Sequence, residues 1–320
     1  MRSDVHNLPE LFLKRLKQLV PSQKFDAVAN SFTEVKPTSF RVNTLKVKSN
    51  EIKERLSSLG FQLKNVSWCN DAFILQKGKL RDLEKTEIYQ EGEIYVQNLS
   101  TLIPALAMEP KEGETILDLT AAPGGKTSHI ACLMNGEGRI VANESNQIRF
   151  ERLKANLKIQ GIDIAEAVMS YGESFGNKYP EIFDRVLVDA PCTAEGRFLT
   201  SEPASYRYWN LSKISEASKL QKKLIISGLK ALKPGGVLVY STCTLAPEEN
   251  EEVIEHALNE FKQKVEIEPV KFSLPNQMIG LLRWEKKEFH PSIKRTIRIL
   301  PTNEMEGFFL ARIKKTGSFN

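Results

Sequence analysis

The pattern of apolar and polar positions predicts a chain built mainly from alternating strands and helices. Five short apolar runs have the length and composition of buried strands, at 115–119, 139–143, 165–169, 184–189 and 237–241. Between them, apolar residues recur at helical spacing near 126–134, 146–160 and 213–232. Such alternation predicts a parallel sheet with right-handed crossovers, wound outward in both directions from its first strand.

The N-terminal part of the chain has a different pattern. It predicts an amphipathic helix at 7–20 that Pro21 ends, and a second helix at 50–59 that Gly60 closes. Strands are predicted at 39–47, 61–66 and 72–76, and 91–97 is expected to connect to the larger domain. We therefore expect a small α+β module at 1–97, followed by the larger domain at 98–320, which opens with an apolar helical stretch at 98–108.

The last third of the chain predicts one more helix and a hairpin. The helix is expected at 247–261, where four glutamates near its start suit the positive end of the helix dipole. Two strands near 293–300 and 307–313 would close the sheet as an antiparallel pair.

Composition limits the class of protein. The formal net charge of +5 permits a polyanionic partner without requiring one. The four cysteines are far apart with no C-x-x-C pair, and the start of the chain does not have the pattern of a cleavable signal, so we expect free thiols in a reducing cytoplasm. No apolar run approaches the ~20 residues that cross a bilayer. We expect a monomer with no membrane contact.

The stretch at 116–128 predicts a strand, a tight glycine turn and a helix. Gly124 and Gly125 would let the backbone approach a ligand closely, and the helix would present unpaired N–H groups. Asp118 at the end of the strand suits an ammonium or hydroxyl group better than a phosphate. A nucleotide-triphosphate loop is the main alternative, but the first glycine of that motif would fall at Thr120.

An acid also ends the second predicted strand of the larger domain. Glu144 follows Asp118 at the spacing at which a doubly wound fold places a carboxylate on a ribose diol. The alternative is that Glu144 caps the next helix.

Two cysteines lie just past the ends of core strands. Asp189-Ala190-Pro191-Cys192 ends one strand, and Ser241-Thr242-Cys243-Thr244 ends the next. Neighbouring strands lie about 4.8 Å apart, so both thiols would open into one cleft with the glycine turn. Inert buried thiols, a redox or metal pair, and a nucleophile with a helper all remain possible. A zinc site needs about four ligands, and the residues near these two cysteines supply an incomplete set of ligands, so we expect no metal.

A nucleophilic thiol beside a cofactor loop suits the methylation of a carbon that is not itself nucleophilic. Cytosine C5 is such a carbon, because addition of a thiolate to C6 turns the ring into an enamine whose C5 can attack an electron-poor methyl group. An acid near N3 would assist the addition.

The chain resembles the RNA 5-methylcytosine methyltransferases of the Sun/Fmu type, which use S-adenosylmethionine. The matching stretches are 41–44, 95–97, 118–126, 183–192, 240–250 and 307–309. The resemblance implies that Cys243 is the attacking thiol, that Cys192 assists product release, and that Asp189 lies between cofactor and base. The cofactor would be held by residues of the glycine turn and three acids, namely Asp118, Ala122, Pro123, Gly124, Gly125, Lys126, Glu144 and Asp189.

The sequence departs from the family at one position. Family members usually have an aspartate after the third strand that meets the adenine amino group, but this chain has Gly172 there.

A basic segment at 197–233 has eight Lys or Arg against two Glu, with aromatic residues interleaved. Basic groups with stacking surfaces suit single-stranded RNA, although a solvated helix is the alternative. We expect RNA contacts from Arg41, Arg197, Lys222 and Lys223.

The sequence thus predicts a class I methyltransferase fold, with a Rossmann-like, mostly parallel sheet, helices on both faces and a C-terminal antiparallel hairpin. The N-terminal module would be a reduced RNA-recognition-motif-like domain. The predicted activity is methylation of cytosine C5 in RNA, with rRNA favoured over tRNA. The rival hypotheses are a nucleotide-dependent RNA factor and an RNA-binding assembly protein that retained the fold.

Overall fold

The computed structural model describes residues 3–319. The strands, in chain order, are β1 Ser39–Val42, β2 Gln62–Val66, β3 Cys69–Lys77, β4 Ile94–Val96, β5 Thr115–Asp118, β6 Arg139–Asn143, β7 Ala165–Val168, β8 Phe183–Asp189, β9 Leu232–Thr242, β10 Val265–Glu268, β11 Gln277–Ile279, β12 Arg283–Trp284, β13 Lys287–Glu288, β14 Ile297–Ile299 and β15 Phe308–Lys315. The helices are α1 Glu10–Leu19, α2 Ser22–Ser31, α3 Ser49–Ser58, α4 Leu80–Leu83, α5 Glu87–Gln90, α6 Ile103–Met108, α7 Gly125–Leu133, α8 Gln147–Gln160, α9 Gly172–Lys178, α10 Leu211–Ala231 and α11 Glu251–Phe261. None of the helices within 3–319 is long and apolar enough to span a membrane.

The large sheet has the predicted architecture. Its parallel part runs β7-β6-β5-β8-β9, and β15 then pairs with β9 in the antiparallel sense. Strand order reverses at β5, which lies between β6 and β8, and a ligand cleft forms outside the carboxyl ends of strands at such a reversal. The predicted class I methyltransferase fold is confirmed.

The C-terminal strands form the expected antiparallel pair. β14 pairs with β15 over three residues, β11 pairs with the outer edge of β14, and β10 pairs with the later part of β15 on the same edge as β14. The helix expected at 247–261 begins at Glu251 instead, so Glu248 and Glu249 precede it and make tertiary contacts of their own.

A separate antiparallel sheet forms in the N-terminal part, in the order β2-β3-β1-β4. The segment 91–97, expected to be only a connection, contributes β4, which pairs with β1. β1 ends at Val42 rather than 47. The apolar face of this sheet packs with α3 in a core of its own, which includes Phe40, Ile52 and Phe73.

The first two helices do not belong to that core. Pro21 ends α1 as predicted, but it also caps a second helix, α2, that the sequence analysis missed. Phe12 of α1 contacts Phe198 and Trp209 of the larger domain, with ring centroids 4.9 and 5.9 Å apart. These helices therefore pack on the methyltransferase sheet, although they precede the small module in sequence.

Candidate active site

A cleft of about 530 Å³ lies at the carboxyl ends of β5 and β8, with Cys243 just beyond β9. It brings together most of the predicted site residues. Those that line it are Asp118, Ala122, Pro123, Gly125, Lys126, Asp189, Cys192, Arg197 and Cys243. Gly124 and Glu144 lie beside the cleft, whereas Arg41, Lys222 and Lys223 do not line it.

The glycine turn depends on both of its glycines. Gly124 has a φ of +106°, a conformation that side chains disfavour. A Cβ on Gly125 would lie 2.7 Å from the ring of Tyr95, which is part of β4. The close approach of β4 to the turn therefore requires glycine at this position. The turn leads directly into α7, whose first N–H groups face the cleft region.

Asp118 is buried beneath the turn. Its Oδ2 accepts a hydrogen bond from Thr127 at 2.7 Å, and its Oδ1 has no partner among the described residues. Burial is the main reason that the pKa of this carboxyl is raised to about 7, and the nearby Asp189 adds to the effect. A cationic group bound in the cleft would stabilise the carboxylate.

Asp189 is the centre of a polar network on the floor of the cleft. Its Oδ2 accepts from Lys126 Nζ, and its Oδ1 accepts from Ser241 Oγ, both at 2.7 Å. The hydroxyl of Thr120 donates to the backbone carbonyl of Asp189 at 2.9 Å, and this hydrogen bond connects the glycine turn to the end of β8. The network fixes the Asp189 carboxylate and places the Lys126 ammonium beside it.

The two thiols are in contact. Cys192 Sγ lies 3.2 Å from Cys243 Sγ, and both side chains are partly exposed to the cleft. The pKa of the Cys192 thiol is raised well above its usual value, because of its hydrogen bond with Cys243 and then because of burial. The raised pKa favours the neutral thiol form of Cys192, and either sulfur can donate in the contact between the two.

A buried carboxylate joins the two cysteine loops. Glu249 Oε2 accepts from the Thr193 amide at 3.0 Å and from Gln221 at 2.8 Å, while Oε1 accepts from the Thr193 hydroxyl and, at 3.4 Å, from Thr244. Gln221 also donates to the carbonyl of Pro191 at 2.8 Å. Burial raises the pKa of Glu249 to about 7. The sequence pattern did not indicate that Glu249 connects the two cysteine loops, because Glu249 was expected to belong to the helix at 247–261.

Glu144 is buried, and its carboxylate has partners within the chain. Oε1 accepts from the amide of Asn146 at 2.9 Å, and Oε2 lies 3.4 Å from the guanidinium of Arg149. Arg149 also donates to the carbonyl of Ala122 at 2.8 Å and lines the cleft. Helix α8 is capped by Asn146 and not by Glu144, whose carboxylate instead accepts from the amide of that cap and lies next to the glycine turn.

Arg41 was expected to contact RNA, and this prediction is wrong, because its side chain is buried. It is 1% exposed, and it donates to the hydroxyl of Ser128 at 2.9 Å and to the sulfur of Cys132 at 3.1 Å. Both partners lie on α7. Arg41 therefore joins the small N-terminal sheet to the helix that carries the glycine turn.

The other predicted RNA contacts differ in exposure. Arg197 is exposed at the mouth of the cleft, with Glu306 at 3.4 Å. Lys223 is exposed on α10, whereas Lys222 is half-buried and faces Glu252 at 3.9 Å.

The interleaved aromatic residues were expected to offer stacking surfaces. Phe198 is buried, and Tyr206 and Trp209 pack against it, so that only Tyr208 is largely exposed.

Gly172, the departure from the family pattern, is closely packed. A Cβ there would lie 2.8 Å from Leu224 of α10 and 3.3 Å from Leu119. The backbone carbonyl of Gly172 accepts from Ser227 at 2.6 Å. A larger residue at this position would require the side chain of Leu224 to shift.

Several residues that line the cleft were not assigned a role from the sequence. Tyr95, Glu306 and Phe308 line it, and the ring of Phe308 lies 5.9 Å from Lys126 Nζ. Tyr95 and Phe308 are within the stretches that match the Sun/Fmu type, which is the signal that could have found them. Within residues 3–319, no group of three or more His, Cys, Asp or Glu side chains is placed to hold a metal ion.

Two families match successive parts of the chain. Residues 105–314 match the family described as 16S rRNA methyltransferase RsmB/F, and residues 8–99 match the N-terminal domain of 16S rRNA methyltransferase RsmF. A methyltransferase homologue from Pyrococcus horikoshii has a similar structure, with a TM-score of 0.84, 35% identity, and coverage of 98% of this chain and 99% of that one. NSun6 from the same organism, solved with SFG, shares the fold at a TM-score of 0.81, with 21% identity and coverage of 98% and 100%.

Two relatives match by sequence over almost all of this chain. Ribosomal RNA small subunit methyltransferase F of Vibrio campbellii is 38% identical, over 96% of this chain and 63% of that protein, so the chain spans less than two thirds of that relative. The tRNA (cytosine(49)-C(5))-methyltransferase of Pyrococcus abyssi is 37% identical over 98% of both chains. This chain therefore belongs to the 16S rRNA methyltransferase RsmB/F family.

Proposed function

We propose that this protein transfers a methyl group from S-adenosylmethionine to C5 of a cytosine in RNA, through a covalent bond between Cys243 and C6. The observation that carries the proposal is the contact between two partly exposed thiols, 3.2 Å apart, in the same cleft as the glycine turn. An RNA-binding assembly protein needs neither thiol at this place. A triphosphate loop would need close backbone approach at Thr120, which has a side chain that bonds the end of β8 instead.

The residues around the glycine turn fit the proposed cofactor. The unpartnered Oδ1 of Asp118 suits a cationic group, and Gly125 leaves the start of α7 open to a carboxylate. Ala122 and Pro123 line the cleft on the side of Arg149 and Glu144, where a ribose could be held. S-adenosylmethionine, when bound, supplies an electron-poor methyl group.

The side chains near the thiols suit the steps of cytosine methylation. The Cys243 thiolate would bond to C6, and the ring electrons would move toward C5 while N3 accepts a hydrogen bond or proton near Asp189 and Lys126. After C5 is methylated, loss of its proton to a base restores the C5–C6 double bond and releases Cys243 as a thiolate. The Cys192 thiol, in contact with Cys243, would donate a hydrogen bond to the departing thiolate and so assist release of the product.

The relatives do not agree on the RNA. The matching family descriptions and the Vibrio campbellii relative name ribosomal RNA, whereas the Pyrococcus abyssi relative, which matches end to end, names transfer RNA. We propose rRNA as the first substrate to test and tRNA as the second.

The proposed function is tested by mapping 5-methylcytosine in total RNA from cells with and without the intact gene. We expect one or a few cytosines to lose the methyl group in the deletion strain. Purified protein with S-adenosylmethionine should restore it on RNA from that strain, and the Cys243→Ala variant should not. If the two RNA maps are identical and the purified protein transfers no methyl group, the proposal is wrong, and the RNA-binding assembly hypothesis becomes the better one.

A further inference from the structure

A second groove adjoins the catalytic cleft on the far side of the Cys192 loop. It has a volume of about 410 Å³, and we call it the Tyr208 groove. Pro191 and Cys192 line both the groove and the cleft, so a single turn of backbone separates the two. The other walls are formed by Tyr208 and Trp209 and by one face of α10, which includes Lys213 and Leu220.

The floor of the groove is rigid and apolar. The ring of Trp209 packs on Phe12 and Phe198, and its indole N–H donates to Glu195 at 2.8 Å. The indole N–H of Trp209 therefore already has a hydrogen-bond partner, and the rest of this side chain is apolar. Leu220 adds an aliphatic surface from α10.

Tyr208 stands at the edge of this floor with little covering. It is 70% exposed, so much of its ring is accessible from solvent. The guanidinium of Arg207 lies over its ring at 4.5 Å. An exposed aromatic ring with an adjacent cation is the arrangement that binds an unpaired nucleobase next to a backbone phosphate.

We propose that the Tyr208 groove binds the base of a nucleotide next to the target cytosine, stacked on Tyr208, while the target base occupies the catalytic cleft. The inference rests on the proposed function, because it takes RNA as the substrate. The groove shares Pro191 and Cys192 with the cleft, so a strand whose cytosine reaches Cys243 can pass over the Cys192 loop into it. Basic side chains at Arg207 and Lys213 suit the phosphates of such a strand, although Glu216 pairs with Lys213 at 2.7 Å.

The test uses a fluorescently labelled, single-stranded RNA of about 15 nucleotides with one cytosine. Stacking contributes about 1–3 kcal/mol per base, so Tyr208→Ala should weaken binding by about 5- to 150-fold. Tyr208→Phe keeps the ring and should bind as the wild type does. Ile279→Ala is a matched control, because Ile279 is 64% exposed at the edge of the sheet and outside the groove. Affinity is read from fluorescence anisotropy at one salt concentration.

Two further RNAs locate the stacked base. In one the nucleotide before the cytosine is abasic, and in the other the nucleotide after it is abasic. For one of them, wild type and Tyr208→Ala should bind with equal affinity, because the base that stacks on the ring is absent. Equal affinity of the two proteins for the intact RNA would overturn the proposal, as would a loss of the same size on all three RNAs or no binding by the wild type. Because only binding is measured, a failure of methyl transfer would count against the proposed function alone.

Discussion

Three acids near the cleft have different surroundings, which suit them to different tasks. Asp118 is buried with one oxygen unpartnered, and Asp189 is fixed by Lys126 and Ser241 at the open floor. Glu144 is buried beside Arg149, with one oxygen held by the amide of Asn146. Only Asp189 is both fixed and close to the two thiols, and this agrees with a contact to the base.

Replacing Glu144 tests its assignment to the ribose. Glu144→Ala should weaken S-adenosylmethionine binding by about 1–3 kcal/mol, because polar groups of the ligand would lose a buried acceptor. Isothermal titration calorimetry measures this directly. Glu151→Ala, which removes an exposed carboxylate from α8, the helix that follows Glu144, should bind the cofactor as the wild type does. Unchanged affinity in Glu144→Ala would remove this residue from the site and leave it as a cap of the turn.

At the scale of elements, one carboxyl group outside the cleft, that of Glu249, connects the loops that follow β8 and β9. Glu249 accepts hydrogen bonds from both cysteine loops, and its pKa is raised from 4.5 to about 7 by burial. A carboxyl with a raised pKa in the folded state binds its proton more tightly there than in the unfolded chain. Its contribution to stability is therefore present below about pH 4.5 and is lost as the pH rises to about 7.

Glu249→Gln should flatten this dependence on pH. The amide cannot ionise, so the free energy of unfolding of the variant should fall less than that of the wild type between about pH 4.5 and 7, by up to about 3 kcal/mol. Denaturant unfolding at a series of pH values gives the two curves. Since Asp118 titrates in the same range in both proteins, only the difference between the curves is assigned to Glu249. Parallel curves would contradict a raised pKa for Glu249.

Helix α10 presents its two adjacent lysines to different surroundings. Lys223 is exposed, whereas Lys222 faces Glu252 and is half-buried. Replacing both with Ala should weaken RNA binding and reduce its salt dependence, with most of the effect from Lys223. Cofactor affinity should not change. Lys111→Ala is the control. Lys111 is exposed and lies before β5, at the ends of the parallel strands opposite to the cleft. A salt slope equal to that of the wild type would make this face of α10 an ordinary solvated surface.

At the scale of the whole molecule, the N-terminal helices and the catalytic sheet share one apolar core. Phe12 is 1% exposed and contacts Phe198 and Trp209, which also support the Tyr208 groove. Arg41 provides a second connection, from the small sheet to α7. The segments before the larger domain therefore support both sides of the cleft.

Phe12→Ala should destabilise the protein by about 3–5 kcal/mol, because it leaves a cavity in this shared core. Leu11→Ala, on the same helix and 44% exposed, should change stability by less than about 1 kcal/mol. Chemical denaturation followed by far-UV circular dichroism measures both. A loss for Phe12→Ala that is no larger than for Leu11→Ala would show that α1 contributes little to the core of the catalytic domain.

The local patterns of the chain were sufficient to predict the large sheet and its cleft. Alternating strands and helices place Asp118, Asp189 and Cys192 at strand ends by topology alone, and the structure confirms that these ends meet. The roles of Arg41 and Glu249 depend on tertiary contacts between distant segments. Arg41 carries a charge that usually lies at the surface, and its burial against α7 has no signature in local periodicity. Glu249 was misassigned because the helix begins at Glu251, four residues later than its sequence pattern suggests.

The central claim is that Cys243 bonds to the base and Cys192 assists its release. Addition and elimination are separate steps, so blocking each leaves a different species. Cys192→Ala should add to the RNA, transfer the methyl group and stall, whereas Cys243→Ala should form no bond. Asp189→Asn in the Cys192→Ala background should slow formation of the adduct, because a carboxyl near N3 assists addition.

The most direct measurement is a denaturing gel of each single cysteine variant after incubation with S-adenosylmethionine and RNA from the deletion strain. The account predicts a shifted protein–RNA band that survives denaturant for Cys192→Ala and no such band for Cys243→Ala. A band with Cys243→Ala and none with Cys192→Ala would reverse the two roles. The absence of a band with either variant would contradict the covalent mechanism with two thiols.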